Sequence, residues 1–175
     1  MLSFLSKFKH AEEMRESKDE ILTGEIVRAM ARQNMPAIGF KTVGEDQSII
    51  FKPLRSILYK LTITVDRKTG GSRLSQTMFG SKAWITFNAQ VKNHVADPDD
   101  LLEMYKTDAK NIFKSPMFGD VKLDHQLNSV FASKRVTVDI DNYLPKDEAG
   151  VQTLTNFLQE HINDVTEKLR PFKKG

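Results

Sequence analysis

The residue types that could do chemistry are sparse and scattered along this chain. Its four histidines are His10, His94, His125 and His161, and none stands at a spacing from another histidine or a carboxylate that is typical of a metal site. The chain has no cysteine, which excludes disulfides, thiolate metal ligands and a cysteine nucleophile. The serines also lack the G-x-S-x-G setting of an activated nucleophile. His161 adjoins the apolar stripe of a predicted helix, where it is most simply a structural residue at the boundary of that stripe.

The glycine and aspartate clusters have structural explanations. Gly70 and Gly71 lack the further glycine and the lysine–hydroxyl ending of a phosphate-binding loop. The acidic cluster at 97–100 resembles a calcium loop in composition only, since the central glycine and the terminal glutamate are missing. Asp139 and Asp141 alternate outward on a predicted strand, which is more often a solvated face than an acid–base pair. We therefore expect no enzymatic activity, no catalytic residues, no cofactor and no metal.

The basic residues are concentrated in the middle of the chain. Residues 51–82 carry seven lysines and arginines against one aspartate, although the net charge of the whole chain is only +3. A phosphate backbone could lie across this region if its polar side chains line the exposed face of a sheet. Charged residues on exposed strands also protect them from aggregation, so the signal is not specific. The residues of this possible nucleic-acid-binding site are Lys60, Arg67, Lys68 and Arg73.

Length and composition indicate a single folded domain. The chain has 175 residues, of which 39% are hydrophobic and 28% are charged, as in ordinary globular proteins. No apolar run approaches the roughly 18 residues that a membrane-spanning helix needs. We expect one domain over residues 11–172, preceded at 1–10 by a tail that is flexible, lies on a membrane surface or forms a dimer contact. The cysteine-free composition favours a cytoplasmic location.

Helical and alternating patterns follow one another along the first half of the chain. The strongest alternation runs through Ile57, Tyr59, Leu61, Ile63 and Val65, which face one way while mainly lysine and threonine face the other. Strands that alternate in this way belong to an antiparallel sheet with one buried face. The predicted elements are a helix over 12–34 that ends before Pro36, strands at 37–43, 47–52 and 57–66, a hairpin partner at 72–79 and a strand at 83–91.

The second half contains two predicted helices with a hairpin between them. One helix begins at Asp97, whose carboxylate can accept a hydrogen bond from the first-turn amides, with Pro98 in the first helical position. Strands at about 120–124 and 129–141 then precede a long helix over 150–170, whose apolar residues recur at spacings of three and four. The sequence therefore predicts an α+β fold, an antiparallel β-sheet meander with an N-terminal helix, a central helix and a long C-terminal helix packed on the sheet.

Residues 97–171 resemble the type III secretion chaperone-like fold, which class I secretion chaperones share with the YbjN family. The central helix resembles that fold through DPDDLLEMY, and the last strand, the corner after it and the closing helix do so through VTVDIDNYLPKDEAGVQTLTNFLQEHI. The resemblance implies a small, cytoplasmic, dimeric protein without a catalytic site. Proteins of this kind hold a partner polypeptide or a secreted client on sheet and helix surfaces, through apolar pockets and strand addition.

Two binding hypotheses remain open for the predicted sheet. A protein-binding surface would use apolar residues of the strands, and the single tryptophan above all, because tryptophan is enriched at interface hot spots. A meander that folds around a long helix can alternatively enclose a lipid or another apolar small molecule, as helix-grip proteins do. The same side chains could instead form the core. The residues predicted for partner binding are Ile49, Phe51, Ile57, Tyr59, Trp84 and Phe87.

Overall fold

A computed structural model describes residues 18–43, 46–66, 82–92, 122–124 and 129–170 of the chain. The elements within these ranges are α1 over 18–32, β1 Ala37–Val43, β2 Asp46–Phe51, β3 Lys60–Asp66, β4 Lys82–Lys92, β5 Lys122–Asp124, β6 Ser129–Asp139, a 3₁₀ turn Ile140–Asn142 and α2 Glu148–Leu169. The predicted tail at 1–10, the residues of the predicted strand at 72–79 and the central helix that begins at Asp97 lie outside the described residues. The prediction that 72–79 pairs with the 57–66 strand as a hairpin is wrong over 61–65, because β3 pairs there with β2 on one side and with β4 on the other.

The strands form one antiparallel sheet in the order β1-β2-β3-β4-β6-β5. β1 to β4 follow one another as a meander, and β6 then lies beside β4, from Lys82 opposite Asp139 to Lys92 opposite Ser129. The short β5 pairs with the other side of β6, as the predicted hairpin requires. The two edges of the described sheet are therefore β1 and β5.

One face of this sheet carries the core. Along β3 the residues at odd positions are buried and those at even positions are half-buried, and the register places Phe87 beside Ile63 on the buried face. Both helices cover this face. α2 contacts β4 and β6, while α1 reaches β2 through the Thr23 hydroxyl, which donates to Gln47 Oε1 at 2.9 Å. The α+β fold class, with helices packed on an antiparallel sheet, is confirmed.

Helix α1 buries an apolar stripe and ends in a Schellman turn. Ile26 and Met30 are fully buried in the common core. At the end of the helix Asn34 adopts a φ of 60°, and the Met35 amide donates to the Met30 carbonyl at 3.0 Å. Asparagine tolerates this left-handed conformation better than most residues do, so it can end a helix where glycine is absent. The predicted end of the helix before Pro36 is confirmed.

The segment between β6 and α2 differs from the predicted one. β6 ends at Asp139, whose carboxylate accepts the Asp141 amide proton at 3.2 Å within the 3₁₀ turn. The prediction that these two aspartates alternate along one strand is therefore wrong. α2 begins at Glu148, slightly earlier than predicted, because the Asp147 carboxylate caps it by accepting the Gly150 amide proton at 2.8 Å.

Helix α2 carries the apolar stripe that its spacing predicts. Leu158, Val165 and Leu169 are fully buried against the sheet. Full burial of a leucine or valine side chain stabilises a fold by about 1.5–3 kcal/mol, so this stripe is a main contribution to the core. Neither helix in the described part of the chain is long and apolar enough to cross a membrane.

Candidate protein-binding edge

β1 forms one edge of the sheet and pairs, among the described strands, with β2 alone. It presents two large apolar side chains to solvent, since Ile38 is 62% exposed and Phe40 is 67% exposed. An edge strand offers unpaired amide and carbonyl groups to any extended chain, and natural proteins usually protect it with charge, proline or a covering element. Lys41 is the single charged residue of this strand. We call the backbone of Ala37–Val43, with the side chains of Ile38 and Phe40, the β1 edge.

The register indicates which backbone groups of β1 point outward. Val43 pairs with Asp46 across a two-residue connection, and hairpins of this length close on a hydrogen-bonded pair. Hydrogen-bonded and non-hydrogen-bonded pairs alternate along an antiparallel ladder, so every second residue from Val43 bonds β2. The amide and carbonyl groups of Thr42 and Phe40 therefore point away from β2, toward the side of β1 on which no described strand lies.

The pairing between the first two strands continues beyond the N-terminal end of β1. The Lys52 amide donates to the Pro36 carbonyl, and the Leu54 amide donates to the Asn34 carbonyl, each at 3.0 Å. These bonds place Leu54, which is 49% exposed, beside the segment that leads into β1. A register shift at Ile38, where bulges commonly bend and twist an edge strand, separates the two segments. Phe40 thus lies on one side of the bulge, and the exposed Leu54, in the segment that follows β2, lies next to the edge on the other side.

Most of the residues predicted for partner binding lie in the core. Ile49, Phe51 and Phe87 are fully buried on the face that the helices cover, so an external partner does not reach them in this form. Ile57 is partly buried and packs against the same core. The structure therefore brings these four residues together as core residues, which is the alternative that the sequence left open.

The two remaining predicted residues reach the surface, each beside a cation. Tyr59 is 48% exposed, and Lys92 Nζ lies 4.2 Å from the centre of its ring. Trp84 is half-buried, with the Arg135 guanidinium 4.6 Å from the centre of its ring. The alternating pattern wrongly predicts that Tyr59 faces the core, because β3 begins only at Lys60. Cation–π contacts contribute about 0.5–1 kcal/mol at exposed sites, so both aromatic rings already have a favourable contact within the chain.

The possible nucleic-acid-binding residues are described only in part. Lys60 is half-buried and lies opposite Gln90 on the polar face of the sheet. Hydroxyl groups occupy the same face, where those of Ser48 and Thr64 are 2.8 Å apart. The position of Lys60 on this face agrees with the alternation along β3. The other predicted residues, which lie outside the described residues, are Arg67, Lys68 and Arg73.

A charged cluster lies beneath α2, on the covered face of β6. Lys134 and Lys168 are 6% and 7% exposed, and the Lys134 ammonium contacts the Asp164 carboxylate. His161 is 8% exposed and packs its ring edge-on against Phe157, with 4.5 Å between the ring centres. Burial, followed by the charge of Lys134, lowers the pKa of Lys168 to about 8 and also lowers the pKa of His161. The fold therefore disfavours the charged forms of Lys168 and His161.

This cluster is an internal feature of the fold. His161 Nδ1 is 4.0 Å from Asp164 Oδ2, which is beyond hydrogen-bonding distance. In the described part of the chain no group of histidine, cysteine, aspartate and glutamate side chains is arranged to hold a metal ion. The sequence does not identify the buried lysines, although Lys134 interrupts the apolar positions of β6 and Lys168 follows the stripe of α2. A lysine at a position where the pattern predicts a buried apolar residue is the signal that could have identified these buried lysines.

The sequence also does not identify the β1 edge. Apolar residues at 37, 38, 40 and 43 follow neither strict alternation nor helical spacing, so the pattern assigns no buried face to this strand. The signal in the sequence that could indicate an edge strand is that apolar and polar residues alternate poorly in β1 but regularly in β3. An edge strand tolerates poor alternation because its side chains have neighbours on one side only.

Similarity to known proteins extends over almost the whole chain. A family model described as the MJ1278 domain matches residues 6–175. The chain is 35% identical over 170 residues to the uncharacterized protein MJ1278 of Methanocaldococcus jannaschii, and the alignment covers 96% of this chain and 94% of that protein. No solved structure matches the chain. The region that matches the family includes every described element, and hence the β1 edge.

Proposed function

The chain belongs to the MJ1278 domain family, and we propose that it is a non-enzymatic protein-binding domain that adds an extended polypeptide segment to the β1 edge. The observation that carries this proposal is the exposure of Ile38 and Phe40, 62% and 67%, on a strand that pairs with β2 alone among the described strands. Strand addition supplies main-chain hydrogen bonds, and alternate side chains of the added segment supply specificity. We expect the segment to be apolar where it lies beside Phe40.

The contacts available at the β1 edge are of the size that such binding needs. Covering a large apolar side chain completely contributes about 1.5–3 kcal/mol, and two such side chains are available. The outward amide and carbonyl groups of Phe40 and Thr42 add hydrogen bonds that contribute about 0.5–1.5 kcal/mol each. Because association itself costs on the order of 4 kcal/mol or more, we expect the bound segment to span the whole edge.

The proposal includes the mode of action that the resemblance to secretion chaperones implies. In this mode the bound polypeptide segment is held extended along the edge, and the protein acts in the cytoplasm. The proposed contact surface moves from Ile49, Phe51 and Phe87, which are buried, to the β1 edge. Accessibility supports this change, since strand addition requires an edge and side chains that the partner can reach.

A photo-reactive residue tests the proposal in cells of the native host. We would introduce p-benzoylphenylalanine at Phe40 and, as a control, at Gln159, an exposed position on α2. Illumination should join the Phe40 variant, but not the Gln159 variant, to a polypeptide whose cross-linked segment can be sequenced. A synthetic copy of that segment should bind the purified protein, and Phe40→Asp should weaken binding by about tenfold or more, which corresponds to about 1.4 kcal/mol.

Two results would contradict the proposal. The first is the absence of any polypeptide adduct at Phe40, because a bound segment would lie within reach of that side chain. The second is a segment that binds the Phe40→Asp variant as tightly as it binds the wild-type protein, because the contact would then lie elsewhere.

A further inference from the structure

We infer that the segment added to the β1 edge is β1 of a second copy of this chain, related to the first by a two-fold axis. The inference rests on the proposed function, since it names the partner at the same edge. Two six-stranded sheets then join into one continuous sheet of twelve strands. Both copies contribute the same surface, as in most homodimers.

The outward backbone groups select the register of this pairing. A two-fold axis between antiparallel strands can pass through a hydrogen-bonded pair in which one residue faces its own symmetry mate. Phe40 is the central residue of the seven-residue strand, and its amide and carbonyl groups point outward. An axis at Phe40 forms two hydrogen bonds between the Phe40 residues and pairs Thr42 of each copy with Ile38 of the other.

The charge of the strand agrees with this register. An axis through Lys41, the single charged residue of β1, would place two like charges opposite each other, which is destabilising. With the axis at Phe40, Lys41 lies opposite Gly39 of the second copy, where no side chain obstructs it. A Cβ at Gly39 would lie 3.7 Å from Ile50 Cδ1, an ordinary contact, so packing within one copy does not require glycine there. The glycine leaves room for the lysine of the second copy.

The same axis covers the apolar side chains that one copy leaves exposed. The two Phe40 residues face each other with their Cα atoms about 5.5 Å apart, which brings the aromatic side chains together. Ile38 faces Thr42 of the second copy, and β-branched residues pair well across strands. A second copy therefore uses the outward backbone groups, the exposed apolar side chains and the single charge of β1 together. This self-complementarity favours a second copy over an unrelated segment.

Sedimentation equilibrium over a series of protein concentrations tests the inference. The apparent mass should rise from 19.9 kDa toward twice that value as the concentration increases. Phe40→Asp places two carboxylates at the axis and should weaken association about a hundredfold, as substitution of a central hot-spot residue does. Gln159→Asp, the matched control on α2, should leave association unchanged. Circular dichroism should show that both variants fold, because Phe40 and Gln159 are exposed.

Single-cysteine variants test the register. The chain has no cysteine, so an introduced cysteine can form a disulfide only with its own symmetry mate. Phe40→Cys should give a covalent dimer under mild oxidation, because facing Cα atoms about 5.5 Å apart suit a disulfide. Lys41→Cys should not, because the two Lys41 residues lie diagonally across the axis, with Cα atoms about 8 Å apart.

The possible failures distinguish the inference from the proposed function. A chain that is monomeric at every concentration, and whose Phe40 cross-links to a different polypeptide, would overturn the inference and leave the proposed function intact. A dimer that Phe40→Asp does not weaken would also overturn the inference, because the copies would then meet through another surface. If neither a second copy nor another polypeptide cross-links at Phe40, both fail.

Discussion

At the β1 edge large apolar side chains face solvent, whereas beneath α2 charged side chains are enclosed by the core. Ile38 and Phe40 are 62% and 67% exposed, while Lys134 and Lys168 are only 6% and 7% exposed. Both arrangements reverse the usual distribution of residues between surface and interior. In the second region the Asp164 carboxylate contacts the Lys134 ammonium and offsets part of the cost of burying that charge. Among the described residues nothing comparable covers the first region, and in the proposed assembly a second polypeptide supplies that cover.

The positions of the strands account for this difference. β6 lies between β4 and β5 and beneath α2, so its side chains have neighbours from several elements. β1 ends the sheet and pairs, in the described chain, with β2 alone. On an inner strand, neighbouring elements can supply a partner for a buried polar group. On the edge strand of the described sheet, an apolar side chain has fewer neighbours and remains exposed.

Two phenylalanines provide the largest expected contrast between the regions. Phe87 is fully buried on β4, with its ring centre 5.4 Å from that of His161. Phe87→Ala should lower the free energy of unfolding by about 3–5 kcal/mol, because it leaves a cavity in the core. Phe40→Ala should change it by less than about 0.5 kcal/mol in the monomer, because the side chain is exposed. Urea unfolding of dilute protein measures both values.

A large loss for the monomeric Phe40→Ala variant would contradict this comparison. It would mean that the β1 edge is packed within one copy as the core is. The same titration at high protein concentration should instead show a loss for Phe40→Ala, because the substitution weakens the proposed dimer.

Removal of the carboxylate beneath α2 should have the next largest effect. Asp164→Asn keeps the shape of the side chain but removes the negative charge that contacts Lys134. We expect the free energy of unfolding to fall by about 1–3 kcal/mol, because the buried Lys134 ammonium loses its contact with a charged carboxylate. Lys134→Met should be neutral or stabilising, since an apolar side chain avoids the cost of burying the charge. Equal losses for the two variants in urea unfolding would contradict this interpretation.

The sequence predicts the fold class well because most of its elements have local signals. In β3 the alternation correctly places Ile63 and Val65 in the core, since a central strand has one covered face. In α2 the spacing of three and four correctly predicts the buried stripe. The order β4-β6-β5 is less accessible from the sequence, because the pairing of β4 with β6 joins residues that are far apart in the chain.

The candidate site is harder to predict because it depends on that order. Phe51 and Phe40 are both aromatic strand residues, yet the first is fully buried and the second is 67% exposed. Only the position of β2 inside the sheet and of β1 at its edge separates them. Lys134 is a similar case, since its carboxylate partner Asp164 comes from a helix 30 residues later. Local spacing does not encode either relation.

The stability of the protein should depend on pH through His161, which lies in the charged cluster beneath α2. Burial, and secondly the charge of Lys134, lower the pKa of His161 from its usual value of 6.5. Well above pH 6.5 the histidine is neutral in both the folded and the unfolded chain, so it makes no contribution to the pH dependence there. As the pH falls through that value the unfolded chain binds the proton first, so the folded state loses stability.

His161→Phe should remove this acid-side loss. A phenylalanine has no titrating group and can pack beside Phe87 and Phe157, as the histidine ring does. Urea unfolding at a series of pH values from roughly 7 to 5 should therefore give a steeper decline for the wild-type protein than for this variant. Phe40→Ala, at the β1 edge, should keep the wild-type decline. Parallel declines for the wild-type protein and His161→Phe would show that His161 is not the group responsible.

Two glycine substitutions provide the smallest contrast. A new Cβ at Gly39 would lie 3.7 Å from Ile50 Cδ1, whereas one at Gly150 would lie 3.0 Å from the backbone Cα of Pro145. In dilute, monomeric protein Gly39→Ala should raise the free energy of unfolding by about 0.4–1 kcal/mol, since alanine restricts the unfolded chain and the edge of one copy has room for it. Gly150→Ala should not show the usual helical gain of about 1 kcal/mol, because the Pro145 backbone cannot move aside as a flexible side chain would. Equal gains in thermal unfolding would mean that the start of α2 is as tolerant as the β1 edge.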